Sequence, residues 1–197
     1  MNKHLILAVG LLAAAPLPAA AANFVVDALA NSANISGTVT GTGLSTISLT
    51  SGENFSVTSS VNDLWSLGTL PRFSDADGLT GNRLATALDD SGQPVGTVIG
   101  ADFGQVTASG LTASYGALVG EIGGVFEVLG TNFHGPAWAT GTLTLFNWDT
   151  FTGDNTGDIK VDVTTGGGVP EPAAWALMLA GFFTVGFVAR RRVAAIA

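Results

Sequence analysis

The stretch "FNWDTFTGDNTGDIKVDV", residues 146 to 163, gathers Asn147, Asp149, Thr150, Thr152, Asp154, Asn155 and Asp158 between two strand-like runs. Carboxylates, amides, hydroxyls and main-chain carbonyls are the donors from which Ca²⁺ assembles a loose shell of roughly six to eight oxygens. A glycine-containing loop can wrap such donors around an ion, and Phe146 and Ile159 are placed to fix its two ends in a core. The spacing is not that of an EF-hand, because no glutamate closes the loop and no helices flank it. A hydrophilic hairpin in which Asp and Asn merely cap turns would use the same residue types. On composition alone both readings stand.

Catalytic constellations are sparser. His134 is the sole histidine beyond His4, and "GTNFHGPAW" gives it no Ser or Asp partner nearby. Glu121 and Glu127 are the one candidate for the paired carboxylates of glycoside hydrolysis. They stand six residues apart in strand-like sequence interrupted by Gly123-Gly124, a pattern that decorates solvent faces. Nothing meets the geometric requirements of a catalytic centre, and the expectation is a protein that is not an enzyme.

The elements that must position the loop read as strands. Ile47 and Leu49 alternate with Ser and Thr, as do Phe55, Val57 and later Val61. Leu143 and Leu145 share a face in "GTLTLFN", and Ile159, Val161 and Val163 share one in "DIKVDV", with Lys160 and Asp162 turned outward. Turn signals at Ser51-Gly52, Asp77-Gly78, Ser91-Gly92 and Gly135-Pro136 separate these runs. Short, half-polar strands between turns predict an all-β fold, an antiparallel β-sandwich or jelly roll, over residues 23 to 165. The less regular stretch from about residue 80 to 114 reads as an insertion. Fourteen acidic residues in this part face only Arg72, Arg83 and Lys160, a net charge of −11. That balance argues against binding nucleic acid or an anionic membrane surface through a basic patch. With no cysteine in the chain, disulfides and thiolate metal sites are excluded.

The two ends carry different signals. Lys3 and His4 precede an apolar run at residues 5 to 12, then Pro16, Pro18 and four alanines. Ala20 and Ala22 supply the small side chains that signal peptidase requires, so the mature chain is expected to start at Asn23. At the other end, residues 166 to 169 form a Gly-rich linker before Pro170-Glu171-Pro172. Residues 173 to 189 are apolar or small except for Thr184. At about 1.5 Å per residue the run reaches roughly 25 Å, the scale of a transmembrane helix. Arg190, Arg191 and Arg192 follow at once, which orients the tail towards the cytoplasm and the acidic domain outward.

Pro170-Glu171-Pro172, Trp175-Ala176, Met178, Gly181-Phe182, Gly186 and the three arginines together resemble the PEP-CTERM sorting signal in its PEPxxWA form. The resemblance covers about the last 28 residues. It implies a Gram-negative host that makes exopolysaccharide, an inner-membrane precursor with its domain in the periplasm, and processing by an exosortase-type enzyme after signal peptidase. The mature form is then expected at the cell surface or in a biofilm matrix.

A second resemblance lies in the domain itself. "GALVGEIGG", "VLGTN", "GTLTLFN" and "GDNTGDIKVDV", in that order, are similar to the second half of the bacterial calcium-dependent galactophilic lectins, which are small jelly rolls. "ISLTSGENFSVTSS" and "LWSLG…RFSDADGL" resemble parts of the first half. The resemblance implies calcium held by Asp154 and Asn155, by Asp149 after the preceding strand, and by the carbonyls of Thr152 and Leu67, with Asn147 beside them. It also implies that sugar hydroxyls complete the shell, with Asp75 and Asp77, beside Ser74, in the region of the lectins' sugar contacts; Trp148 and Trp65 are each either a stacking face for a sugar or core. This chain departs from the pattern in that Trp148 displaces the aspartate, the loop is shorter, and Leu67 stands where the lectins have tyrosine. The lectins' sugar-contacting histidine has no counterpart. The expected function is therefore a surface or matrix protein that binds calcium and a glycan such as exopolysaccharide; the alternative is a non-binding structural matrix protein of the same fold.

Overall fold

The computed structural model describes residues 20 to 166. The expected signal helix, the sorting motif (Pro170, Glu171, Pro172, Trp175, Arg190, Arg191, Arg192) and the transmembrane helix lie outside the described residues. Ala20 and Ala22 fall inside them, in the first strand, β1 (Ala20–Asp27). Cleavage after Ala22 would leave Asn23 to Asp27 of that strand paired as before.

All described elements are strands, and the long ones are built from alternating sequence. β14 (Asn155–Thr165) is the spine of one sheet. One of its edges pairs with β1 along its length, from Thr165 opposite Ala20 to Asp158 opposite Asp27. The other edge is shared: its C-terminal half pairs with β3 (Asn54–Ser59) and its first three residues with β4 (Trp65–Leu67). β12 (Asn132–Pro136) extends the sheet beyond β3, and β5 (Phe73–Ser74) beyond β4. The facing sheet has the order β11 (Val125–Val128), β10 (Leu118–Ile122), β13 (Gly141–Asn147), β2 (Leu44–Leu49). All these pairings are antiparallel.

The expected alternation holds where it matters. Ile159, Val161 and Val163 are buried while Lys160 and Asp162 are exposed. Leu143, Leu145, Leu118 and Leu49 meet them from the other sheet, joined by Phe55, Val57 and Trp65 in one core. Full burial of such side chains contributes about 1.5–3 kcal/mol each, so the facing apolar stripes drive the sandwich. The Trp65 indole N–H is satisfied in the interior by the Gly116 carbonyl at 2.9 Å. Val61 departs from the expectation: it lies beyond the end of β3 and is half exposed.

The back of the β10–β13 sheet is covered as well. Val119, Phe146 and Trp148 point away from the main core into a second cluster with Ala33, Ile35, Ala108 and Ala113. Two small hairpins, β6 (Arg83–Leu84) with β7 (Val98–Gly100) and β8 (Gln105–Ala108) with β9 (Leu111–Ser114), occupy the irregular stretch. The second of them supplies the lid over Trp148, whose indole N–H donates to the Val106 carbonyl at 3.1 Å.

Candidate functional site

β13 ends at Asn147 in one sheet and β14 begins at Asn155 in the other, so residues 148 to 154 cross between sheets at one end of the sandwich. The strand stems bury the two asparagines. Asn147 is wholly inaccessible and Asn155 is 3% exposed. Asn147 faces Leu118 across β10–β13, and its main chain is tied to Asn31 and Ala33 at 3.0 and 2.8 Å. Its amide side chain has no such ties: neither Oδ1 nor Nδ2 has a hydrogen-bond partner among the described residues. Asn155 donates from Nδ2 to the Ala28 carbonyl at 3.2 Å, while its Oδ1 also lacks a partner. Buried polar atoms are normally paired. Three unpaired amide atoms on the two stems of one loop mark the place as unusual.

Asp149 sits between them in sequence and is 5% exposed. Burial pushes its carboxyl above the usual range. The Thr150 and Phe151 amides and the Asn155 side chain pull the other way, and the neighbouring Asp154 charge pushes it up further. Thr150 N donates to Asp149 Oδ1 at 2.7 Å. Asp154 is exposed and leans over Gly68: a Cβ built on that glycine would lie 2.5 Å from Asp154 Oδ2. Gly68 also holds a φ of +119°, a backbone state that suits only glycine. Leu67 stands directly opposite Asn155 in the β4–β14 ladder, which brings the first-half carbonyl position to the loop. The Thr152 carbonyl accepts the Asn155 main-chain N–H at 3.1 Å, leaving its second lone pair free.

The structure thus gathers Asn147, Asp149, Thr152, Asp154, Asn155 and Leu67 around one loop. Two carboxylates, two amides and two carbonyls are hard oxygen donors of the kind calcium takes, and the unpaired amide oxygens are donors without another use. The residues present fit a calcium ion. The set is poor in charge: no cluster of three or more His, Cys, Asp or Glu that could hold a metal occurs among the described residues.

The expected sugar contacts fare differently. Trp148 is fully buried beneath β8–β9 and offers no face for stacking; its size and the covering hairpin make it core. Trp65 is equally buried. Asp75 and Asp77 line a polar cavity of about 210 Å³, but no residue of the β13–β14 loop lines it. Their oxygens are already engaged. Asp75 pairs with Arg83 at 2.6 Å and accepts the Asp77 N–H at 2.9 Å. Asp77 takes the Thr131 N–H at 2.7 Å and the Thr131 hydroxyl at 3.1 Å. Both act as internal clamps. Glu121 faces Phe126 and Glu127 faces Gly120 across the β10–β11 hairpin, so adjacent pairs put the two carboxylates on opposite faces. His134 is exposed on the outer strand β12, with its ring bonded to Asn132 at 2.9 Å.

Residues that sequence reasoning passed over also stand beside the loop. Arg72 lies next to Gly68 and reaches the Leu67 carbonyl at 3.5 Å. Its guanidinium sits 4.2 Å from the centre of the Phe103 ring, which meets Tyr115 edge-on at 5.1 Å. The available signal was its rarity, as one of only three cations between residues 23 and 169.

No family model matches the chain, and no curated protein matches it. Three solved chains do. One, described as "EclA N-terminal domain; PllA-like lectin", is 23% identical at a TM-score of 0.42, covering 73% of this chain and 94% of that one.

Proposed function

We propose that this chain is an exported surface or matrix protein whose β-sandwich binds Ca²⁺ at the β13–β14 loop and, through that ion, a glycan. One observation carries the reading: the stems of the loop bury three amide atoms that have no protein partner, beside a carboxylate that burial keeps hard to ionise. Leaving such groups unsatisfied costs about 1–3 kcal/mol each, and a bound cation would remove that cost for the two Oδ1 atoms, the Asn147 Nδ2 being a donor left to a hydroxyl or water oxygen. Asn147, Asp149, Asp154 and Asn155 would supply side-chain oxygens, and Thr152 and Leu67 their carbonyls. The ion would polarise and orient vicinal hydroxyls of a sugar such as those of exopolysaccharide. Export by signal peptidase and release by an exosortase-type enzyme belong to the same proposal and rest on the terminal motifs. Thermal unfolding with millimolar Ca²⁺ and with chelator tests it. Ligand linkage predicts a higher melting temperature with calcium, abolished in the double variant Asp154→Ala, Asn155→Ala. A melting temperature indifferent to calcium would sink the site.

One observation favours a second reading, a structural matrix protein of the same fold that binds nothing. Only two carboxylates converge on the loop, and one of them is exposed. That reading predicts the same melting temperature in calcium as in chelator, for wild type and the double variant alike.

A further inference from the structure

Arg72 points to the class of glycan, an inference that rests on the calcium reading above. The described part of the chain holds three cations. Arg83 is paired with Asp75, the sole ion pair among the described residues, and Lys160 projects from the outer face of β14. Arg72 is close to the exposed carboxylate of Asp154 yet forms no ion pair with it: a Cβ on Gly68 would lie 2.5 Å from Asp154 Oδ2 and 3.7 Å from Arg72 Cδ. It is instead held by a ring face and one long bond. Phe103 lies 4.2 Å from the guanidinium carbon, and Tyr115 braces Phe103. Nη1 reaches the Leu67 carbonyl at 3.5 Å. A guanidinium has five donors in a planar fork, so most of this one is unspent among the described residues.

An ion at the loop would have its charge of +2 matched by Asp149 and Asp154 alone, with Arg72 as an additional positive charge alongside. With the ion's charge balanced by the two aspartates, Arg72 leaves the corner with a net positive charge, which favours an anionic ligand there. Aromatic stacking fixes a guanidinium in a preorganised orientation, and such forks recognise carboxylates with two parallel bonds. We propose that the site takes an acidic sugar, a uronate, whose hydroxyls meet the calcium ion and whose carboxylate meets Arg72. The rest of the domain is strongly acidic and would repel such a ligand, so its attraction is confined to this corner.

The test uses the purified full chain in neutral detergent. Calcium is titrated first, without sugar, and then the methyl glycosides of glucuronate and galacturonate are compared with those of glucose and galactose at saturating Ca²⁺. Wild type is expected to prefer each uronate over its neutral counterpart by about tenfold, a preference that shrinks as salt rises. In Arg72→Gln the preference falls to near unity while calcium alone binds several-fold more tightly, because the repelling charge is gone. A merely structural arginine would not tighten calcium binding. Equal binding of acidic and neutral sugars by a wild-type protein that responds to calcium overturns the inference and leaves the ion site standing. A preference that survives Arg72→Gln also overturns it. Absence of any calcium response in wild type removes the ion site and this inference together.

Discussion

Replacing Asn147 with leucine is expected to stabilise the calcium-free protein while removing its response to calcium. The side chain is wholly inaccessible, and both of its polar atoms lack partners among the described residues. Each unmade bond on a buried polar group costs about 1–3 kcal/mol. Leucine carries neither polar atom, and its methyl groups would face Leu118, its cross-strand neighbour. Against that gain stands misfit of the branched side chain in a packed interior, about 1–3 kcal/mol. The net expectation is roughly 1–3 kcal/mol of added stability. For a domain of this size each kcal/mol moves the melting temperature by about 2–4 °C, so the shift is on the order of 5 °C. Circular dichroism melts of wild type and Asn147→Leu, each in chelator and in millimolar Ca²⁺, give the four numbers required. The expected pattern is a crossover: the variant melts higher in chelator, and calcium narrows or reverses the difference by raising only wild type. If Asn147→Leu melts lower than wild type in chelator by several degrees, the amide is satisfied by something such as buried water. An ion would then not be needed to satisfy the amide.

Three further perturbations separate the parts of the site. Asp149 has its carboxyl pushed up by burial, so the folded state favours the protonated form and disfavours the charged one. Its penalty is absent below the unfolded carboxylate range and is fully present above the raised folded value. Relative to Asp149→Asn, calcium-free wild type should therefore lose stability as pH rises through that window, and its calcium affinity should increase over the same range. Urea titrations of both proteins across acidic pH would show a constant difference if the reasoning is wrong. Gly68→Ala places a Cβ against Asp154 Oδ2 at a φ of +119°; backbone strain of about 1–3 kcal/mol and a displaced carboxylate should lower both the melting temperature and the calcium shift. Trp148→Ala should cost about 3–5 kcal/mol in urea denaturation, as a large core truncation does. A variant of normal stability that lost only sugar binding would reinstate Trp148 as a ligand contact.

Much of this molecule could be read from residue order. The period of two in "DIKVDV" and "GTLTLFN" places Ile159, Val161, Val163, Leu143 and Leu145 inward, because a strand turns successive side chains to opposite faces whatever surrounds it. The donor types crowded between Phe146 and Ile159 mark the loop as the chemically richest segment, and residue type is a local property. Neither fact needs a partner strand to be known. What local order could not decide was what each polar or aromatic group would meet. Trp148 looks like a surface platform in a hydrophilic loop until β8 and β9, some forty residues earlier, fold over it. Asp77 looks free until Thr131, 54 positions away, fills both its oxygens. Asn147 and Asn155 look like ordinary turn asparagines until two facing sheets exclude water from them and leave both polar atoms of the first and the Oδ1 of the second without a partner among the described residues. Arg72 acquires its meaning only where Phe103 from the irregular stretch stacks against it. Alternation along a strand is written in consecutive residues, whereas satisfaction of a buried polar group is a property of the enclosure, and only the tertiary structure builds the enclosure.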